Sequence, residues 1–153
     1  MISTPHVTNC LKNSQFAPFI AVPCSVLKPL INFAIDQKGL DYIAANNEGE
    51  GVAIAAGAWL AGKKPVVMFQ NSGLGNAVSP ITSLSKIYHI PMLLIITWRG
   101  MPNTKDAPQY SLMGKITPDL LKLMEVENAL FPLEESQATE AINRASEYIE
   151  KKR

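Results

Sequence analysis

Asn47-Glu48-Gly49-Glu50-Gly51-Val52-Ala53-Ile54-Ala55-Ala56-Gly57 is followed, after a short turn at Gly62-Lys63-Lys64, by Pro65-Val66-Val67-Met68-Phe69-Gln70. The first run is helical in composition but has almost no polar face, so it suits a helix packed against other structure. The second is short, β-rich and apolar without alternation, as in a strand buried on both faces. A helix leading into such a strand is one unit of a parallel sheet covered by helices, because each parallel connection needs a crossover. Two carboxylates open that helix. With Asn47 as N-cap, Glu50 stands at the third helical position and can close a capping box with the Asn47 backbone. Glu48 has no such role, and the helical period turns it about 200° away from Glu50. Gly49 and Gly51 cost helix stability and are best explained by something packed closely against the backbone. Glu48 reads either as a solvated acid at the positive end of a helix dipole or as the functional carboxylate of the chain.

Working outward, Thr4 and Pro5 open a helix over residues 4–14. A strand at Pro18-Phe19-Ile20-Ala21-Val22 stops at Pro23, and Ser25 caps a helix that Gly39 ends. A weak second strand spans 41–45. Beyond Gln70 come a Gly, Asn and Ser loop over 70–76 and a helix over 77–88, with Pro80 in an early turn or at a kink. The strongest strand spans 90–98, and 99–108 is a long polar loop of the kind that usually carries function. Helical pieces follow over 109–114 and 119–124, the latter capped by Thr117 and opened by Pro118. A fifth strand near 129–132 precedes an amphipathic helix over 136–151, with Ala141, Ala145, Tyr148 and Ile149 as its inner stripe. The alternation predicts an α/β fold: a single three-layer domain over residues 1–153, with a mainly parallel, doubly wound sheet and helices on both faces. Ligands bind such sheets beyond the carboxyl ends of the strands. That rule puts Pro23-Cys24-Ser25, Asn47-Glu48, residues 70–76 and residues 98–109 on one rim.

The chain has 153 residues, 47% of them apolar, which suits one domain with a proper core. A net charge of +1, with basic residues scattered except at Lys151-Lys152-Arg153, argues against a nucleic-acid partner. Cys10 and Cys24 read as reduced thiols of a cytoplasmic protein. They and the distant His6 and His89 lack metal-site spacing, so no metal site is expected, and both histidines read as structural for want of an evident acid or nucleophile partner. The longest apolar run, 91–98, is too short to cross a bilayer, and a soluble protein without membrane contact is expected.

Around the rim, Asn71-Ser72-Gly73-Leu74-Gly75-Asn76 can cradle a ligand through backbone N–H groups at a helix start. It matches neither a dinucleotide fingerprint nor a Walker loop, and by itself it is equally a tight turn. Arg99, Lys105, Asp106 and Gln109 lie in or just after the long loop. Arg99 and Lys105 suit a doubly charged phosphonate or sulfonate, against the alternative of a solvated charged loop. Cys24 also reads as a small buried hydrophobe and Ser25 as a cap.

Several segments, in order along most of the chain, carry a resemblance. They are Val22-Pro23-Cys24-Ser25-Val26-Leu27-Lys28-Pro29, Asn47-Glu48-Gly49 with Gly57, Gln70-Asn71-Ser72-Gly73-Leu74-Gly75-Asn76-Ala77, Ile90-Pro91-Met92-Leu93-Leu94, Trp98-Arg99-Gly100 and Lys105-Asp106-Ala107-Pro108-Gln109. Together they resemble the pyrimidine-binding domain of thiamin-diphosphate-dependent 2-oxoacid decarboxylases, within them the phosphonopyruvate and sulfopyruvate decarboxylase group. Cys24 stands where the phosphonopyruvate enzymes carry Asp, which favours the sulfopyruvate type and its alpha subunit.

The resemblance implies a flavodoxin-like domain in which Glu48 is catalytic, hydrogen-bonding the aminopyrimidine ring nitrogen of thiamin diphosphate to promote its activation. Pro23, Glu48, Asn71, Ser72, Gly73 and Asn76 would contact the cofactor; Cys24, Ser25, Arg99, Lys105, Asp106 and Gln109 would contact the substrate. The family holds the diphosphate and its Mg2+ in another domain, on a Gly-Asp-Gly stretch followed by Asn, and Gly-Asp-Gly does not occur here. The implied protein is therefore the alpha-type subunit of a split enzyme, active only in a hetero-oligomer with a beta-type chain. Its reaction would be non-oxidative decarboxylation of sulfopyruvate or phosphonopyruvate to the corresponding aldehyde. The residues themselves leave two other readings open: a non-catalytic flavodoxin-like module that binds a ligand or partner, and a split thiamin enzyme for a different 2-oxoacid.

Overall fold

Four strands form one parallel sheet in the computed structural model, which describes residues 2–37 and 40–152. They are β1 (Phe19–Ala21), β2 (Tyr42–Ala44), β3 (Val66–Gln70) and β4 (Leu93–Thr97), in the order β2-β1-β3-β4. Ile20 lies beside Ile43 and Val67, and Val67 beside Leu94. Strand side chains alternate between faces, and β3 shows why the stretch 65–70 has no polar side. Val66 and Met68 enter one core, with Leu11 of α1 (Thr4–Asn13), Ile31 and Ala34 of α2 (Lys28–Asp36), and Ile142 and Ile149 of α6 (Glu135–Glu150). Val67 and Phe69 enter the other, with Val52 and Ala55 of α3 (Glu48–Leu60), Leu74 and Ala77 of α4 (Leu74–Pro80), and Leu121 of α5 (Ser111–Leu123). The three-layer, doubly wound α/β architecture expected from the alternation is present.

Several local expectations give way. No strand forms near 129–132; Leu130 is 70% and Phe131 49% exposed, because apolar content without a ladder partner does not hold a strand. The expected break between 114 and 119 is absent: α5 runs through Pro118, and Thr117 lies buried inside it rather than capping it. The loop 70–76 is mostly helical, a 3-10 turn over Asn71–Gly73 leading directly into α4. Pro80 lies inside the helical stretch, which continues as one π-helical turn over Ile81–Ser85. Ser25 sits in a turn before α2 without capping it, and the stop assigned to Gly39 falls outside the described residues. On α6 the buried stripe is Ala138, Ile142 and Ile149, while Tyr148, one position off that stripe, points outward.

Polar contacts of Lys64 and His6 help bind α6 down. Lys64, before β3, is 5% exposed, donates to Ser146 and Glu150, and lies over the Phe16 ring. His6 does have an acid neighbour: its Nδ1 is 3.6 Å from a Glu135 carboxylate oxygen, and its Nε2 lies 3.0 Å from the Glu135 carbonyl and 2.9 Å from Thr139 Oγ1. Its role is to join α1 to α6. No described helix is long and apolar enough to cross a membrane.

Phe69 is fully buried between β3 and the second helical layer. Phe69→Ala is expected to lower unfolding free energy by about 3–5 kcal/mol in urea titration. A loss within error would show that this layer is not packed on the sheet.

Candidate active site

The two acids at the start of α3 have separate fates. Asn47 Oδ1 accepts the Glu50 N–H at 3.0 Å, as an N-cap should. The Glu50 carboxylate reaches back one residue beyond the expected capping box, accepting from Asn46 N–H at 2.6 Å and Asn46 Nδ2 at 2.8 Å. Glu50 is thus engaged in local capping. Glu48 is 7% exposed, and its Oε2 accepts from Asn76 Nδ2 at 2.8 Å. Its carboxyl group lies where a side chain on Gly73 would be, so any Cβ at 73 would overlap it. A Cβ on Gly49 would come within 2.8 Å of the Asn76 carbonyl oxygen. The starts of α3 and α4 and the 71–73 turn therefore close around one carboxyl group. Among the described residues no Lys or Arg pairs with it. With Asn76 bonded to Oε2, the Glu48 carboxyl group keeps acceptor capacity for a further hydrogen-bonding group.

Beside this acid, the ends of three strands meet. Cys24, after β1, is 8% exposed; its thiol donates to Gln70 Oε1 at 3.6 Å and lies 4.0 Å from Thr97 Oγ1. Gln70 Nε2 donates to Ser72 Oγ at 2.6 Å. Pro23 and Ser25 flank Cys24 and are exposed.

The loop after β4 is tied internally. Arg99 Nε and Nη2 donate to the two oxygens of Asp106 at 2.8 and 2.6 Å. The Asp106 carboxylate also accepts the N–H groups of Gly100 at 2.9 Å and Ala107 at 2.8 Å. The Arg99 hydrogen bonds, then these backbone N–H groups, hold its carboxyl well below the usual range, and Asp106 in turn raises Arg99. The guanidinium stacks over Tyr110, 4.0 Å from the ring centre. Lys105 and Gln109 stand exposed. Of the expected substrate-side residues, Arg99 and Asp106 are brought together as a pair in which Asp106 faces Arg99 rather than open space.

Asn71 also departs from expectation. The residue is 1% exposed, and its side-chain amide bonds to the Arg99 backbone and Thr117 rather than facing a ligand. Nearby, Trp98 Nε1 donates to the Gly114 carbonyl at 2.7 Å. Pro118, four residues on, has no N–H to claim that carbonyl. Gly100, at φ +70°, and Gly114 allow the loop to lie directly on α5, since a Cβ on either would overlap backbone of Tyr110 or Gly100. Sequence reasoning placed Gln70 on the rim but missed Thr97, Tyr110, Gly114 and Thr117 as parts of it. The one available signal was Pro118, whose place inside a helix leaves a carbonyl open.

Residues 4–123 match the family described as thiamine pyrophosphate enzyme, N-terminal TPP binding domain. The chain belongs to this family. It is 51% identical over 111 residues to a phosphonopyruvate decarboxylase of Streptomyces viridochromogenes, a match covering 72% of this chain and 28% of that protein. To a phosphonopyruvate decarboxylase of Streptomyces hygroscopicus it is 44% identical over 132 residues, 86% of this chain and 33% of that one. To the sulfopyruvate decarboxylase subunit alpha of Methanocaldococcus jannaschii it is 38% identical over 145 residues, 95% of this chain and 85% of the subunit. The chain thus spans about a third of the phosphonopyruvate decarboxylases it matches. As a thiamine pyrophosphate enzyme domain it has the flavodoxin-like α/β fold. The Glu48 site is compatible with the aminopyrimidine half of that cofactor: the acid is 7% exposed, its carboxyl group lies in the space left by the missing side chain of Gly73, and it keeps acceptor capacity beyond its bond from Asn76.

The fit of Glu48 against Gly73 can be measured without ligand. Gly73→Ala is expected to destabilise the fold by about 1–3 kcal/mol. In a Glu48→Ala background it should be nearly silent, giving a coupling of at least about 1 kcal/mol. An additive cycle would mean that the carboxyl group does not occupy this space.

The Asp106 clasp has a defined pH window. Its folded pKa is depressed, so its stabilisation is complete above the ordinary value of 3.8 and is lost only as pH falls through the lower folded value. Protection of the Gly100 and Ala107 amides in hydrogen exchange should therefore persist through pH 3.8 and fade below it. At neutral pH, Asp106→Ala should speed exchange at both amides. Unchanged rates would show that this carboxylate does not hold the loop.

Proposed function

We propose that the chain, acting as one pyrimidine-binding domain, is the alpha-type subunit of a split, thiamin-diphosphate-dependent decarboxylase of sulfopyruvate or phosphonopyruvate. The observation that carries this reading is the Glu48 carboxyl group, buried against Gly73 and held by Asn76 alone of the described side chains. Thiamin diphosphate, when bound, supplies the nucleophilic carbon and the electron sink that allow a 2-oxoacid to lose carbon dioxide. The part of this chain is to hold a proton in the right place. Asn76 fixes Glu48 Oε2, which leaves Oε1 to share a proton with the pyrimidine ring nitrogen. Pro23, Ser72 and Gly73 line the same rim, and burial keeps water from competing for the shared proton.

On the substrate side, Arg99 is the group suited to a sulfonate or phosphonate, with Asp106 and Tyr110 fixing its plane. Among the described hydrogen bonds its Nη1 takes part in none, so that edge faces the anion. Cys24 and Ser25 border the reacting end, and Lys105 and Gln109 close the loop side. Gly-Asp-Gly does not occur in this sequence, and in the proposed reading a beta-type chain holds the diphosphate and Mg2+. The outer face of α3, with Ala53, Gly57 and Leu60 exposed, is small and apolar, as suits a helix covered in a hetero-oligomer. Free thiols at Cys10 and Cys24 suit the cytoplasm.

The test is co-expression with a beta-type chain carrying Gly-Asp-Gly, then an aldehyde assay with sulfopyruvate, phosphonopyruvate and pyruvate. Glu48→Ala should keep the fold and lower turnover by at least about a hundredfold. Near-native decarboxylation by that variant would remove Glu48 from the mechanism. A stable complex that turns over no 2-oxoacid would favour a binding module. Tight, magnesium-dependent cofactor binding by the isolated chain in calorimetry would argue against a split site.

A further inference from the structure

The β3–β4 ladder ends at the pair Gln70 and Thr97. Beyond it the main chain of β3 turns into a 3-10 helix, so Arg99 loses its strand neighbour. The Asn71 side chain takes that neighbour's place. Its Oδ1 accepts the Arg99 N–H at 3.0 Å and its Nδ2 donates to the Arg99 carbonyl at 3.0 Å. A carboxamide has the donor and acceptor of a peptide group, and here it satisfies both backbone groups of one residue as a parallel strand would.

The second Nδ2 proton goes to Thr117 Oγ1 at 3.0 Å. The direction of that bond is fixed, because the Thr117 hydroxyl proton is donated to the Met113 carbonyl within α5. Both Nδ2 protons and the Oδ1 of Asn71 are thereby engaged, in a residue that is 1% exposed. Trp98, the preceding residue, is held by α5 through the Gly114 carbonyl. The chain leaving β4 is thus fixed from two sides before the Arg99 side chain departs from it.

We propose that Asn71 is a positioning residue for substrate recognition: through Thr117 it joins the end of β4 to α5 and so fixes the main chain from which Arg99 reaches the anionic group of the substrate. The inference rests on the reading of Arg99 given under Proposed function. A carboxylate at 71 has no proton to give Arg99 or Thr117 and sets lone pairs against lone pairs. A protonated carboxyl restores one donor.

Three measurements on the full complex with the beta-type chain test this. First, Arg99→Ala should raise KM for sulfopyruvate or phosphonopyruvate while sparing pyruvate. No change would overturn the reading of Arg99 and with it the recognition role of Asn71. Second, Asn71→Asp and Thr117→Val should each lower kcat/KM for the anionic substrate relative to pyruvate by about tenfold or more. Affinity for thiamin diphosphate should be unchanged, Thr117→Ser should restore the ratio, and the Asn71→Asp deficit should shrink as pH is lowered. Third, hydrogen exchange of the Arg99 amide should be slow in the wild type and fast in Asn71→Asp, whatever the activity. Equal losses for charged and uncharged substrates, a fall in cofactor affinity in their place, or an Arg99 amide that stays protected would each overturn the proposal. Should Asn71→Asp fail to assemble, Thr117→Val and its serine counterpart decide the question alone.

Discussion

The geometry of the rim depends on one close approach, that of the Glu48 carboxyl group to the backbone at Gly73. An acid 7% exposed at the head of an apolar helix is costly unless its surroundings are built for it. The construction uses backbone more than side chains. Gly73 leaves space, Gly49 lets α3 lie against the Asn76 carbonyl, and the Asn76 amide supplies one hydrogen bond. The 71–73 turn faces the acid at its last residue and secures the Arg99 loop at its first. Three residues therefore link the acid to the loop, and a shift of the turn displaces both.

The fold was readable because its strands are buried on both faces. Val66 to Phe69 feed two cores by simple alternation, as suits a strand covered by helices on both faces. The different environments of the two acids were readable as well: Glu50 explained itself as a cap and Glu48 did not. What stayed hidden depends on partners distant in sequence. Thr117 before Pro118 has the local pattern of a helix start, yet the long-range bond from Asn71 makes it an interior residue. Leu130-Phe131 has strand composition and no ladder to join. Arg99 and Asp106 looked like separate recognition groups until the loop closed and placed them in one bidentate pair.

That pair also clarifies what a charged loop can do. An arginine free to move would lose side-chain freedom on every binding event. With one edge on Asp106 and one face on Tyr110, Arg99 has much of that freedom removed beforehand. The pairing leaves the loop's net charge unchanged but sets the opposite charges of Arg99 and Asp106 side by side, so their combined field falls off quickly and selectivity rests on short-range geometry.

Pro118 gives the loop an unusual anchor. A proline inside a helix is ordinarily a defect, since it strands the carbonyl one turn earlier. Here that carbonyl, on Gly114, receives the Trp98 indole. Any other residue at 118 would bring an N–H that competes with the indole for the carbonyl. The perfect helix would thus be the worse scaffold, and the vacancy in α5 acts as a socket for the strand end that carries Arg99.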